Sequence, residues 1–233
     1  METIRSTAKT DVNVASIFMR QVYQWMTLGL GVTAVVAWYV AGSAAAREAI
    51  LGNSFVLIAL IVAQLGLVIA ISAAVQRMSA AMATGLFVLY SALTGATLSS
   101  IFVAYPVGAI TNAFVVTAGT FLAMSVYGTV TKRDLTSLGS FLFMGLIGIL
   151  IAMLVNMFLR SPVMDYVISC IGVLVFTGLT AYDTQKLRQF GAAAPLDDAT
   201  AVRRGVILGA LTLYLDFINL FLMLLRLFGG NRD

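Results

Sequence analysis

Seven runs of about twenty apolar residues, separated by short polar turns, constrain this chain more than any other feature. They fall at 22–40, 54–74, 82–105, 110–130, 138–158, 164–182 and 205–228. A helix of such length crosses the roughly 30 Å hydrocarbon layer of a bilayer. Inside that layer no water is available, so backbone N–H and C=O groups must be satisfied within the spanning element itself. Long unbroken apolar runs, as opposed to alternating ones, select helices for the task. The composition agrees: 61% hydrophobic residues, 10% charged residues and a mean hydropathy of +0.99. The reading is an all-α polytopic membrane protein with seven transmembrane helices. Residues 1–21 form an N-terminal tail, 22–228 a single seven-helix domain and 229–233 a short C-terminal tail, with no room for a separate soluble domain. The N-terminal tail is polar and mixed in charge, and it lacks a short apolar core with a small-residue cleavage site, so no cleaved signal peptide is expected.

Orientation follows from Lys and Arg. With the N-terminus in the cytoplasm, ten of the fourteen basic residues fall in cytoplasmic segments, Arg77, Lys132, Arg133, Lys186 and Arg188 among them. Only Arg47, Arg160, Arg226 and Arg232 fall on the opposite side. That asymmetry places the N-terminus inside and the C-terminus outside, with Arg77 and Asp183 on the same cytoplasmic side.

The last run, GVILGALTLYLDFINLFLMLLRLF, carries a carboxylate near its middle, Asp216. Stepping outward from it by three and four residues gives Gly205, Gly209, Thr212, Asp216, Asn219, Met223 and Arg226. Apart from Met223 that stripe is small or polar. A charge in hydrocarbon costs about 3 kcal/mol on insertion scales, so the stripe is expected to face a packed interior or a wet cavity, not lipid. Of the ten acidic residues, eight lie in tails, loops or span edges. Only Asp216 is deep in a span, and only Asp183 lies where an apolar helix meets its cytoplasmic end. A short connection makes the sixth and seventh helices neighbours, which would let the two acids approach. Two close carboxylates resist being ionised together, so they lose their protons in coupled steps. In a chain without histidine this is the available route to sensing pH near neutral. The plainer readings are a helix-end acid with Lys186 as its local partner for Asp183, and a structural hydrogen bond between helices for Asp216. Arg77 is a candidate to bridge onto the pair, or simply a topogenic arginine. Tyr90, Thr94 and Thr97 share a face of the third helix, and Thr94 and Thr97 are candidates for lining a polar path. Hydroxyls in membrane helices also bond their own backbone. Gly145, Gly148, Gly205, Gly209, Ala92 and Ala96 read as sites of close helix packing. The single cysteine, Cys170, permits no intramolecular disulfide.

The segment from Phe176 to Leu187, FTGLTAYDTQKL, and the segment from Gly209 to Phe221, GALTLYLDFINLF, resemble the signatures of the Bax inhibitor-1 family, the transmembrane Bax inhibitor motif proteins. Both are long, correctly ordered and correctly spaced to the neighbouring spans, and the resemblance covers the chain after its N-terminal tail. It implies a seven-helix fold with the C-terminal helix central and six others around it. It also implies a pH-sensitive calcium leak with Asp183 and Asp216 as the sensor and gate and as transient Ca²⁺ ligands. In bacterial members an arginine near the end of the second helix latches the closed pore. Arg77 lies near that place, without the neighbouring arginines that some members carry. No tightly bound cofactor is implied, Ca²⁺ being the permeant ion. The partners implied are the lipid bilayer, Ca²⁺, H⁺ and other membrane proteins, not nucleic acid. The short C-terminal tail without a retention signal fits a bacterial inner membrane.

Chemistry makes the leak coherent. Ca²⁺ takes about six to eight oxygens, so two carboxylates are supplemented by water, backbone carbonyls and candidate pore-lining Thr212 and Asn219. Weak coordination suits permeation, because an ion held tightly does not leave. One alternative is a non-conducting regulator acting through partner proteins. A remote one is an intramembrane aspartyl protease, which also places an aspartate after tyrosine in one helix and a second in the next. Such proteases carry Gly-x-Gly-Asp at the second acid, where this chain has Leu213-Tyr-Leu-Asp216, and a later Pro-Ala-Leu motif. All three prolines here, Pro106, Pro162 and Pro195, precede Asp216, so no enzyme is expected.

Overall fold

The computed structural model describes residues 2–193 and 198–229, with side chains from Val14 onward. Pro195, Asp197, Arg232 and Asp233 lie outside the described residues, as do the side chains of Glu2, Arg5, Lys9 and Asp11. Among the described residues seven helices are long and apolar enough to cross a membrane. In order the helices are α1 (Glu2–Gly42), α2 (Ala44–Leu51), α3 (Ser54–Ala74), α4 (Ala80–Leu98), α5 (Ile101–Ala104), α6 (Val107–Val130), α7 (Thr136–Leu159), α8 (Pro162–Ala192) and α9 (Ala199–Gly229). A 3₁₀ turn, Val75–Arg77, follows α3.

Local chemistry sets the ends. Ser43, Asn53 and Ser79 each accept a hydrogen bond from a backbone N–H of the first turn of the helix they precede, α2, α3 and α4 respectively. Pro106 precedes α6 and Pro162 opens α8, where a missing N–H costs nothing. Arg160 ends α7 in the left-handed region, with φ 51.

Several bounds differ from the sequence expectation. The tail expected over 1–21 is helical and continuous with the first span, because no Gly or Pro interrupts the chain from Glu2 to Leu28. The loop expected around Arg47 and Glu48 contains the short helix α2. The sixth helix does not stop at Tyr182 but runs ten residues further, to Ala192. Lys, Gln and Arg in that extension are good helix formers, so Asp183 lies within a helix and not at its end.

The chain forms two compact units, Met1–Ala104 with Arg188–Tyr214, and Tyr105–Leu187 with Leu215–Asp233. The C-terminal helix supplies the interior of both. In its apolar window 72% of residues are buried, against 39% at most for any other span. Val206, Ile207, Ala210, Leu213, Tyr214 and Leu220 are wholly enclosed. A largely apolar helix covered to this extent, its polar stripe included, is an interior helix. The outer helices instead expose large apolar side chains such as Trp38, Phe55, Ile69 and Leu174. In water such a surface would aggregate, and in a bilayer it is the lipid-facing wall. The protein is an integral membrane protein.

In the first unit, α1 and α3 lie along α4. Tyr214 of α9 sits against α1 and α4. Its ring meets Phe87 and Tyr90 edge-on, with centroids 5.9 and 5.7 Å away. Its hydroxyl is 2.6 Å from Thr33 Oγ1, which lies 2.8 Å from the Ser91 carbonyl oxygen. A consistent assignment has Tyr214 donating to Thr33 and Thr33 donating onward, so α9, α1 and α4 are joined by one chain of hydroxyls. Close by, a Cβ on Gly95 would fall 2.6 Å from the Thr33 carbonyl oxygen, so α1 and α4 meet backbone to side-chain-free backbone. In the second unit, Phe217 of α9 packs edge-on against Phe114 and Phe121 of α6. Met223 fills the space that Gly172 of α8 leaves.

Tyr214→Phe keeps the ring and removes the hydroxyl that bridges to Thr33. The expected cost is about 1 kcal/mol, the usual worth of a hydrogen bond between membrane helices. Thermal unfolding of the detergent-solubilised variant beside wild type measures it.

Candidate functional site

The second unit brings Asp183 and Asp216 together. Asp183 on α8 is partly exposed, whereas Asp216 on α9 is 5% exposed. The two carboxyl groups lie within hydrogen-bonding reach of one another. An ionised carboxylate only accepts hydrogen bonds, so a bond between the two requires a proton on one of them. Asp216 Oδ2 is buried and has no hydrogen-bond partner among the described residues. One acid of the pair is therefore enclosed and under-satisfied, and the other offers the way in.

The segment that carries Asp183 is fixed on successive sides. At Ala181 the α8 backbone comes so close to α6 that a Cβ on Gly128 would run into the Ala181 carbonyl oxygen. The Tyr182 ring lies flat in the space left by Gly139 of α7, where a Cβ would come within 2.5 Å of ring carbons. Gln185 faces the α6–α7 turn. Its Oε1 accepts from the Leu135 N–H at 2.9 Å, and its Nε2 donates to the Arg133 carbonyl at 2.8 Å. Gln185 is buried, its bond to Leu135 is made away from water and its bond to Arg133 lies at the edge of the buried region. Ala181, Tyr182 and Gln185 are committed to α6, α7 and their turn, while Asp183 meets Asp216 of α9. Lys186 does not take the place of that partner. Its ammonium lies over the Tyr182 ring, 5.7 Å from the centroid, where its field still reaches the Asp183 carboxylate.

Asp134, in the same turn, accepts from the Thr136 N–H at 2.9 Å and from the Thr136 hydroxyl at 2.6 Å. Those two bonds hold its carboxyl below the usual carboxylate range, so it stays ionised at neutral and mildly acidic pH.

The remaining candidates are placed as follows. Asn219, one turn beyond Asp216, is half-buried in the second unit. Arg77, Thr94, Thr97 and Thr212 belong to the first unit. Arg77 is exposed at the end of the 3₁₀ turn. The neighbouring Gln76 carbonyl accepts from Arg204 Nη1 of α9 at 3.0 Å. The hydroxyls of Thr94, Thr97 and Thr212 bond backbone carbonyls of their own helices. Thr94 also donates to Gln64 Oε1 of α3 at 3.2 Å. Among the described residues no group of three or more Cys, Asp or Glu side chains converges as metal ligands.

Sequence reasoning did not single out Gln185, Tyr214 or Arg204. For Gln185 and Tyr214 a signal was present, since each is a polar group two residues from one of the two acids. Arg204 reads from sequence only as a basic residue before a span.

A family model described as "Inhibitor of apoptosis-promoting Bax1" matches residues 15–233. The chain is 59% identical over 215 residues to "Inner membrane protein YbhL" of Escherichia coli, with 92% of each chain covered. It is 48% identical over 225 residues to an uncharacterized protein of Borreliella burgdorferi, covering 97% of each. An uncharacterized protein of Deinococcus radiodurans is 43% identical over 233 residues, covering 100% of this chain and 98% of that one.

Gln185→Ala leaves the Leu135 N–H and the Arg133 carbonyl without their partner. A cost of about 1–3 kcal/mol is expected, because the abandoned groups are desolvated. Faster amide hydrogen exchange at Leu135, with little change in α9, is the local signature to look for.

Proposed function

The chain belongs to the Bax inhibitor-1 family, and from that membership we propose that it is a pH-sensitive calcium leak channel gated by Asp183 and Asp216. The observation that carries the reading is the adjacency of the two acids, one enclosed with an oxygen lacking a partner and one accessible. Such a pair changes charge by whole units as it takes up or releases protons, and it does so inside the helix bundle, where a unit charge matters most. Deprotonation of the pair shifts the closed state towards the open one, because two adjacent anions repel and draw in water or a cation.

The pair can contribute up to four oxygens to a passing Ca²⁺, with Asn219 and water supplementing them. Incomplete protein coordination favours passage over retention. Asp134 is held ionised across mildly acidic and neutral pH, so it does not compete as the source of a pH response in that range. The orientation we propose, N-terminus in the cytoplasm and C-terminus opposite, rests on the ten-to-four division of Lys and Arg. On that orientation Asp183 opens towards the cytoplasm of a bacterium, in its inner membrane.

Calcium entry into dye-loaded proteoliposomes, followed from about pH 5 to 8, tests the reading with wild type, Asp183→Asn and Asp216→Asn. Wild-type flux should change with pH and rise as the pair deprotonates. Either substitution should flatten the profile. A leak through Asp216→Asn that keeps the wild-type pH dependence would sink the gate. An absence of flux in every folded variant would favour a regulator that works through partners.

A further inference from the structure

The second unit holds another feature at the end of the bundle away from the acid pair. A cavity of about 580 Å³ opens where α7 turns into α8 and where α9 ends, with Arg160 and Arg226 both in its wall. Eighteen residues of α8 separate Asp165 at this cavity from Asp183, roughly 27 Å of helix. We propose that this cavity binds a phosphate-bearing anion, either the headgroup of an acidic phospholipid or free phosphate.

Charge is the first argument. Neither guanidinium has an ion-pair or hydrogen-bond partner among the described residues, although Arg226 is half-buried. The one carboxylate in the wall, Asp165, accepts from Asn156 Nδ2 of the same wall at 2.7 Å and pairs with neither arginine among the described residues. Two arginines against one acid leave the cavity net positive. Three helix ends meet here, the positive N-terminus of α8 at Pro162 and the negative C-termini of α7 and α9, so the positive charge of the cavity comes from the two guanidinium groups and not from the helix dipoles. Planar guanidinium groups match phosphate oxygens in pairs.

Arg160 is held in place at a cost to its own backbone. Its backbone is left-handed, with φ 51, in a position that glycine occupies without strain. An arginine there carries a backbone cost that an unstrained residue avoids. It is also one of only four basic residues on the sparsely charged side of the sequence, and Arg226 is another. Two of those four exceptions face one cavity.

The walls fit the rest of such a ligand. Met157 and Tyr166 in the wall are also exposed on the outer surface, by 61% and 63%. The cavity is therefore continuous with the surface that lipid chains cover. Tyr105, opposite, is seated against Gly229, where a Cβ would collide with its ring. The volume lies within the usual range of small-molecule sites, about 300–1,000 Å³.

The test uses the full chain, purified and reconstituted in vesicles of phosphatidylglycerol and phosphatidylcholine, and reads retained lipid by native mass spectrometry. Wild type should retain phosphatidylglycerol over phosphatidylcholine. Arg160→Gly combined with Arg226→Gln should lower that retention about tenfold or more. Arg160→Gly alone relieves the backbone, so it should melt no lower than wild type while binding less, which separates binding from folding. Inorganic phosphate added to lipid-stripped protein in detergent distinguishes the source. A rise in melting temperature that the double variant loses assigns the site to free phosphate. Selective lipid retention without such a rise assigns it to the headgroup. Equal retention of both lipids by wild type and double variant, with no response to phosphate in either, overturns the proposal.

Discussion

An acid on the innermost helix is the constraint that the second unit is built around. Asp216 cannot face hydrocarbon, yet α9 carries it where almost every neighbouring side chain is apolar. Charged groups in a membrane interior are usually answered by an opposite charge. Here the group within reach of Asp216 is a second acid, Asp183. An acid–base pair would settle into one charge state over a wide pH range, whereas two acids hold together only while they share a proton. A hydrogen bond between the two acids and a proton on one of them therefore go together.

Around the pair, close approach and hydrogen bonding are divided among adjacent residues of α8. Ala181 meets the α6 backbone at Gly128, Tyr182 lies on Gly139, and Gln185 completes the backbone of the α6–α7 turn. Each contact depends on something small or missing on the other side: a hydrogen in place of a side chain, or a turn with groups left over. The carboxyl of Asp183 thus inherits its position from the contacts of three nearby residues of α8.

The spans were legible because an unbroken apolar run of membrane length satisfies its backbone in lipid as a helix and as little else. The pairing of Asp183 with Asp216 was legible because only Asp216 stands deep in a span and only Asp183 stands where an apolar helix meets its cytoplasmic end. The extension of α8 to Ala192 was not, since polar residues after an apolar run look like a loop whether or not the helix continues through them. The Gln185 clamp was hidden for a different reason: its partners lie 50 and 52 residues away, and local periodicity carries no information about them. Thr94 and Thr97 show the reverse case. Their shared face suggests a polar path, but the hydroxyls are engaged with backbone carbonyls and with Gln64, a use that spacing cannot distinguish from an open one.

The turn between α7 and α8 comprises only Arg160 and Ser161, and Asn156 stitches it by accepting from the Ser161 N–H and donating to the Ser161 carbonyl. At the far end of the same two helices, Gln185 ties α8 to the turn that begins α7. A hairpin fastened at both ends behaves as a splint: neither leg can slide along the other without breaking a lashing. A displacement of α8 away from α9 that keeps both lashings carries α7 with it, and the seam it opens is the one between α8 and α9.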